Sequence, residues 1–424
     1  MLILAHGLSG IEDLPIPRWL FAWAAAVVLV ASFVGLATLW RAPQLQDHRE
    51  RTIARLPRLL EPLCGALSVV LFALVVYAGL AGEQTEPANN FAPTYIFVVL
   101  WVGVPIASVL IGDVFRAFNP WRAVARAAMR IAPSAWSPPP YPARLGRWPA
   151  VAGVLGFGWL ELVYANRDDP RRLALFALAY ALLQLAGMAR YGVEPWLANG
   201  DALSVYFGLF ARLSPLRWTR DELRLRRPLE GVVGLDTPPG TVALLAAMIG
   251  TTSFDGFSAG PIWKNAILPA AGTHTQLVGT VGLLGAMLFV LGMYRFGVAG
   301  MRTVGGGSDL AERFVHSLVP IALAYVIAHY FSLLIYQGQG ALPLARHPLD
   351  AAVTIHYGLI GASGIWLVQV AALLAGHVSG IVLAHDRALA VYPTVRKAAR
   401  SQHWMLAVMV GFTCLGLWLL SASA

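Results

Sequence analysis

Six of the ten histidines lie between Arg313 and Arg387, in the two apolar stretches RFVHSLVPIALAYVIAHYFSLLIYQGQ and HYGLIGASGIWLVQVAALLAGHVSGIVLAHDR. An ionisable side chain at membrane depth costs about 3 kcal/mol when charged, so such groups usually face a bundle interior and mark sites. His329 lies ~10 Å from one end of its stretch at 1.5 Å per residue. Asp255 follows Thr251, Thr252 and Ser253 and precedes Gly256, where the backbone is free to turn. Glu161 lies about one turn from the end of another apolar stretch. Imidazole and carboxylate together suit zinc or copper, and a metal with an open position lowers the pKa of bound water to about 7. Without metal, the same pair serves as general base and orienting group. Asp255, His329 and Glu161 are therefore the candidate catalytic residues, and His329, Asp255, His356 and His377 the candidate metal ligands. The plainer alternative is that each one hydrogen-bonds between helices and fixes packing.

A second pattern is a column. Gln369, His377 and His385 are eight residues apart, which advances a helical side chain by ~80° per step and keeps the three on one broad face. With His329 continuing the line, the column reads as a proton or ion relay. Its alternative is one intramembrane histidine above an interfacial pair, His385 and Asp386. His48, His316 and His403 sit beside arginines and read as solvated or interfacial. His6, near the N-terminus, reads as a tail residue that a metal site would use only if a mature terminus lay beside it.

The elements that must position these residues follow from composition. Of the 424 residues, 58% are hydrophobic and 12% charged, too apolar for a soluble protein of this length. The apolar residues come in blocks of about 18 to 25, the length of a bilayer-crossing helix. Blocks begin or run near 19–40, 61–82, 94–115, 148–164, 173–190, 240 onward, 276–295, 314–336, 361–384 and 404–420. The expected fold is a single all-α, polytopic transmembrane bundle of about ten crossings, residues 1–424 forming one integral membrane domain. Two further segments read as interfacial helices. In RAFNPWRAVARAAMR, arginines at 122, 126 and 130 recur every four residues and are expected to face headgroups. GDALSVYFGLFARL (200–213) is the other.

The net charge of +9 does not signal nucleic acid, because no loop is long enough for a soluble binding domain. Arginines instead crowd the loops after the first, third, fifth, seventh and ninth blocks. That alternation places those loops in the cytoplasm of a bacterial plasma membrane and both termini outside. Cys64 and Cys414 lie in apolar segments without metal-ligand spacing. GMARYGV (187–193) and GMYRFGV (292–298) echo each other, as do FNPW (118–121) and VEPW (193–196), traces either of duplication or of recurring interface anchors. Tryptophans and tyrosines read mostly as an interfacial belt. Phosphate-binding, dinucleotide, haem and nucleophile-elbow motifs are absent from the sequence.

Several blocks, among them GDVFRAFNPWRA, VYFGLFARLSP, SFDGF, AHYFSLLIYQGQ and GHVSGIVLAHDRAL, resemble a bacterial, largely actinobacterial, family of polytopic membrane proteins known as fenitrothion hydrolases. The resemblance runs from His6 to Leu389. It implies hydrolysis of an apolar organophosphate ester at the membrane, and assigns no role to an individual residue. The competing expectations are a proton- or metal-coupled permease using the same histidines, and a non-catalytic subunit of a membrane complex. Expected partners are the lipid bilayer, an apolar small molecule or an ion, and a partner subunit or second copy.

Overall fold

The computed structural model describes residues 18–47, 49–131, 137–219, 221–349 and 352–422. His6 and His48 lie outside them. In chain order the main helices are α1 (Arg18–Leu39), α2 (Leu60–Ala81), α3 (Phe91–Ile111), α4 (Pro120–Ile131), α5 (Trp148–Leu162), α6 (Pro170–Tyr191) and α7 (Val193–Asn199). They continue with α8 (Ala202–Ala211), α9 (Thr241–Ala259), α10 (Thr275–Arg302), α11 (Leu318–Gln337), α12 (Ala362–Val391) and α13 (Val395–Ala422). Among the described residues, seven helical segments are long and apolar enough to cross a bilayer: α2, α3, α6, α9, α10, α12 and the 310–346 stretch around α11. Helices α1, α5 and α13 complete the ten expected blocks as helices. The protein is an all-α, polytopic integral membrane bundle.

Small residues set the closest approaches, as expected where lipid removes the hydrophobic drive between helices. A Cβ on Gly376 would meet Pro320 O at 2.7 Å, and one on Gly380 would meet Ser317 O at 2.9 Å, so α12 lies directly against the start of α11. Helix α9 is buried at every position from Thr241 to Gly256. A helix apolar all round belongs in the middle of a bundle, and α9 packs against α5, α10 and α11.

The loops rich in arginine gather at one end, here called the basic end. They contain the one sheet among the described residues, which the sequence reading missed: β1 (Arg51–Arg55), β2 (Leu216–Trp218) and β3 (Glu222–Leu225), antiparallel in the order β1–β3–β2. Trp218 anchors it, its indole N–H donating to Ile111 O. Gly112, at φ +94°, leaves room for that ring.

Both expected interfacial helices differ from expectation. Helix α8 is buried at Ala202, Leu203, Val205–Phe207 and Leu209–Ala211, because bulky aromatics on all its faces find partners in α3 and α5. Helix α4 lies along the first turns of α2, with Ala123 against Gly65 and Trp121 edge-on to Phe72. Its Arg122 and Arg126 turn inward to Glu61 and Glu194, while Arg130 is exposed. Carboxylates supply the countercharge expected from headgroups.

The two sequence echoes also part company. Gly192, at φ +89°, ends α6 within the first, whereas the second runs on as helix inside α10. Trp121 and Trp196 both donate to buried acceptors, Asp201 at 2.9 Å and Gln184 at 2.8 Å.

Candidate functional site

The site is built from a glycine. A Cβ on Gly158 of α5 would come within 3.0 Å of Thr251 Cγ2 on α9, so the two helices touch there. Both helices start at the basic end and run the same way. Residues three and four further along a helix return to the same face. Glu161, three on from Gly158, and Asp255, four on from Thr251, therefore meet one turn above the contact. Both are buried, and their charges interact. Thr251 and Thr252 satisfy their hydroxyls on Ala247 O and Met248 O within α9, which keeps them out of the cluster.

Helix α11 closes the site. His329 Nε2 lies 2.9 Å from Asp255 Oδ2, both side chains less than a tenth exposed. Tyr330, the next residue, is close enough to Asp255 to interact with its carboxylate and packs edge-on to the His329 ring at 4.8 Å. Glu161 Oε2 has no hydrogen-bond partner among the described residues. Its backbone carbonyl accepts from Arg167 at 3.3 Å, on the turn that leads into α6.

An aromatic stack joins this cluster to a cavity. Tyr206 of α8 is close enough to Glu161 to interact with its charge. Its ring lies on Trp101 at 4.6 Å, and Trp101 lies on Phe157 at 4.0 Å. Trp101 and Phe157 line an apolar cavity of about 530 Å³ between α2, α3, α5, α6 and α8.

The other candidates lie elsewhere. His356 is exposed on the link between α11 and α12, held through its backbone N–H by Gln339 Oε1 at 3.0 Å. His377 is fully buried midway along α12, with Nδ1 2.8 Å from Leu373 O and Nε2 without a partner among the described residues. Its ring lies 6.1 Å from that of Tyr325. Asp386 is a clamp for the chain after α1: it accepts from Trp40 Nε1 (3.1 Å), Gln44 N (2.6 Å), Leu45 N (3.2 Å) and Gln46 Nε2 (2.7 Å). His385 Nε2 faces Trp40 O at 3.1 Å. His316, expected to be solvated or interfacial, is buried, because the turn before α11 is covered by α12. His403 is exposed.

The structure thus brings together Glu161, Asp255 and His329 and keeps His356 and His377 out. Among the described residues no group of three or more His, Cys, Asp or Glu side chains is arranged to hold a metal. His329 and Asp255 offer two donors, short of the three protein ligands usual in a catalytic zinc site. Tyr330 and Tyr206 were not anticipated. The adjacency of Tyr330 to His329 was visible, but aromatic residues in apolar helices read as an interfacial belt. In comparison with known proteins, the chain matches no protein family, no curated protein and no solved structure.

Proposed function

We propose that the protein is a multi-pass permease of the bacterial plasma membrane that couples proton movement to passage of a small solute or ion, with Asp255, His329 and Glu161 carrying the proton. The observation behind this reading is the meeting of two carboxylates and an imidazole, buried between α5, α9 and α11. Two charged carboxylates side by side repel, and one proton shared between them removes the repulsion. An imidazole 2.9 Å from one of them takes up that proton and hands it on. His377, nearer the basic end along α12, is the next imidazole on the route. The arginine excess supports a cytoplasmic basic end, with the Asp255 centre toward the outer surface and both termini outside. The test is proton flux into proteoliposomes under an imposed pH gradient. Wild type should exceed Asp255→Asn, Glu161→Gln and His329→Ala by at least about tenfold, the scale on which one acid–base group contributes to proton transfer. A wild type no faster than empty vesicles, or variants as fast as wild type, sinks the reading.

A second reading, hydrolysis of an apolar phosphoester, is the activity implied by the family resemblance. The apolar cavity supports it, since its wall reaches Glu161 through Tyr206 and a lipophilic ester enters such a space from the bilayer. Metal assistance by zinc or copper would draw on His329 and Asp255. Elemental analysis of wild type beside His329→Ala and Asp255→Ala tests it. Release of nitrophenolate from an aryl phosphotriester by wild type, lost in both variants, would put this reading first. The permease predicts no release.

A further inference from the structure

At the basic end, away from the Asp255 centre, a second cavity of about 690 Å³ opens between the link from α3 to α4, α4, α7, α8 and the small sheet. Seven arginines and four carboxylates line it, and Glu61 and Glu222, just outside the wall, pair with Arg122 and Arg224, which narrows the excess of positive charge without cancelling it. The carboxylates are already committed. Glu194 serves Arg116 and Arg122, Asp236 is shared by Arg147 and Arg212, and Glu50 by Arg217 and Arg224. Asp113 caps the turn of Arg116, accepting from its backbone N–H, and burial pushes its carboxyl up. Among the described residues Arg226 donates to the main chain, at Ser214 O (2.9 Å) and Ala211 O (2.8 Å). Burial lowers it to about 10, which leaves it a cation at neutral pH.

Guanidinium groups crowded around a hollow repel one another; the wall's carboxylates join six of the seven in pairs, and Arg226 has no such partner among the described residues. Solvated surface arginines would splay apart, yet here two strands, a helix end and a buried turn hold them facing the same space. The floor is open as well. Gly208 of α8 lines the cavity, and a Cβ added there would meet nothing within 4 Å. Planar guanidinium forks match phosphate oxygens two at a time, and the volume exceeds that of a bare phosphate ion. Basic pockets between transmembrane helices at a cytoplasmic face are also where anionic lipid headgroups sit.

We propose that this cavity binds a phosphate-bearing ligand with at least two negative charges, its phosphate oxygens held by Arg226, Arg212 and the Arg217–Arg224 pair. Two sources share that chemistry, the headgroup of an anionic phospholipid and a soluble phosphorylated compound.

The test uses the full chain, delipidated in neutral detergent, and reads its unfolding temperature. One arm adds inorganic pyrophosphate and the other adds cardiolipin, each against chloride at matched ionic strength and against phosphatidylcholine. Binding to the folded protein raises the unfolding temperature by at least about 2 °C at saturating ligand. Gly208→Glu places a carboxylate in the hollow and should abolish the rise. Arg217→Gln, at a strand position whose backbone pairing does not need the side chain, should weaken apparent affinity at least about tenfold. A rise with pyrophosphate alone assigns a soluble ligand, and a rise with cardiolipin alone assigns a lipid headgroup. No rise in either arm overturns the proposal, as does a rise that persists unchanged in both variants. If Gly208→Glu does not fold, Arg217→Gln decides by the same readout.

Discussion

The contact between Gly158 and Thr251 is the point on which the geometry of the site depends, and it can be tested by adding and removing single methyl groups. In Gly158→Ala the new Cβ falls within 3.0 Å of Thr251 Cγ2, where carbon atoms prefer about 3.5–4.0 Å. Helices α5 and α9 must part by at least about 0.5 Å or repack, and overpacking of this kind costs about 1–3 kcal/mol. The other nearby atoms, Thr251 Oγ1 at 3.4 Å and Cβ at 3.5 Å, are ordinary contacts. Thr251→Ser removes only the offending methyl and keeps the hydroxyl bond to Ala247 O. The double variant Gly158→Ala/Thr251→Ser should therefore recover most of the loss, a coupling of about 1–2 kcal/mol between residues in contact. Unfolding in mixed micelles reads the stability of all four proteins, and proton flux reads the site, because separating α5 from α9 separates Glu161 from Asp255. Gly158→Ala as stable as wild type would refute the close approach. Losses that simply add in the double variant would show that Thr251 is not what the new methyl meets.

Three further outcomes follow from other contacts. Asp386→Ala leaves the donors of Trp40, Gln44, Leu45 and Gln46 without their acceptor in a buried place. It should cost about 3 kcal/mol or more and speed proteolysis at 40–46, with Asp386→Asn milder because an amide oxygen still accepts. Trp101→Ala removes the middle ring of the Phe157–Trp101–Tyr206 stack. It should destabilise by about 3–5 kcal/mol, and a lipophilic fluorescent probe should then be quenched by ligands confined to the Glu161 side. For Glu194, burial alone would raise the carboxyl, but the charges of Arg122, Arg116 and Arg126 outweigh it and hold it below the ordinary 4.5. A depressed carboxylate contributes stability that is complete above its unfolded value and is lost as pH falls through the folded one. Amide exchange at 116–126 should stay slow from neutral pH down to about 4.5 and quicken below it. Glu194→Gln should exchange faster already at pH 7 and lose that acid step.

The bundle was legible in the sequence because one-dimensional signals determine it. Block length gives crossings, and arginine alternation gives a basic end, so all ten apolar blocks appear as helices. The meeting of Glu161, Asp255 and His329 was partly legible, since depth along each helix follows from counting residues. Which helices are neighbours does not. The contact that brings Glu161 to Asp255 depends on Gly158 facing Thr251, and a glycine in an apolar helix carries no mark of its partner. Arg122 and Arg126 were misread for a related reason. Their countercharges, Glu61 and Glu194, lie some 60 to 70 residues away in sequence, and only packing of α4 along α2 and beside α7 brings them into reach. The strands escaped because five, three and four residues crowded with arginine give little alternation to read.

The placement of charge also separates two tasks within one bundle. Around Asp255 the ionisable groups are few, buried and mutually dependent, and α9 is held close to α5 and α10 at Gly158 and Gly250. A change of protonation there is felt by α5, α9 and α11 together. At the basic end the charges are many and partly exposed, and they are tied to loops that join the same helices: Arg147 opens α5, Asp236 precedes α9, and Asp386 closes α12 over the chain leaving α1. Filling the arginine-lined cavity would brace the starts of α5 and α9, which diverge or approach one turn below the Glu161–Asp255 meeting point. On the proposed function, the Gly158 contact would be the place where an anion at one end and a proton near the other act on the same pair of helices. If so, proton flux in the Gly158→Ala protein should lose its response to pyrophosphate or cardiolipin while wild type keeps it. An equal response in both would separate the two ends.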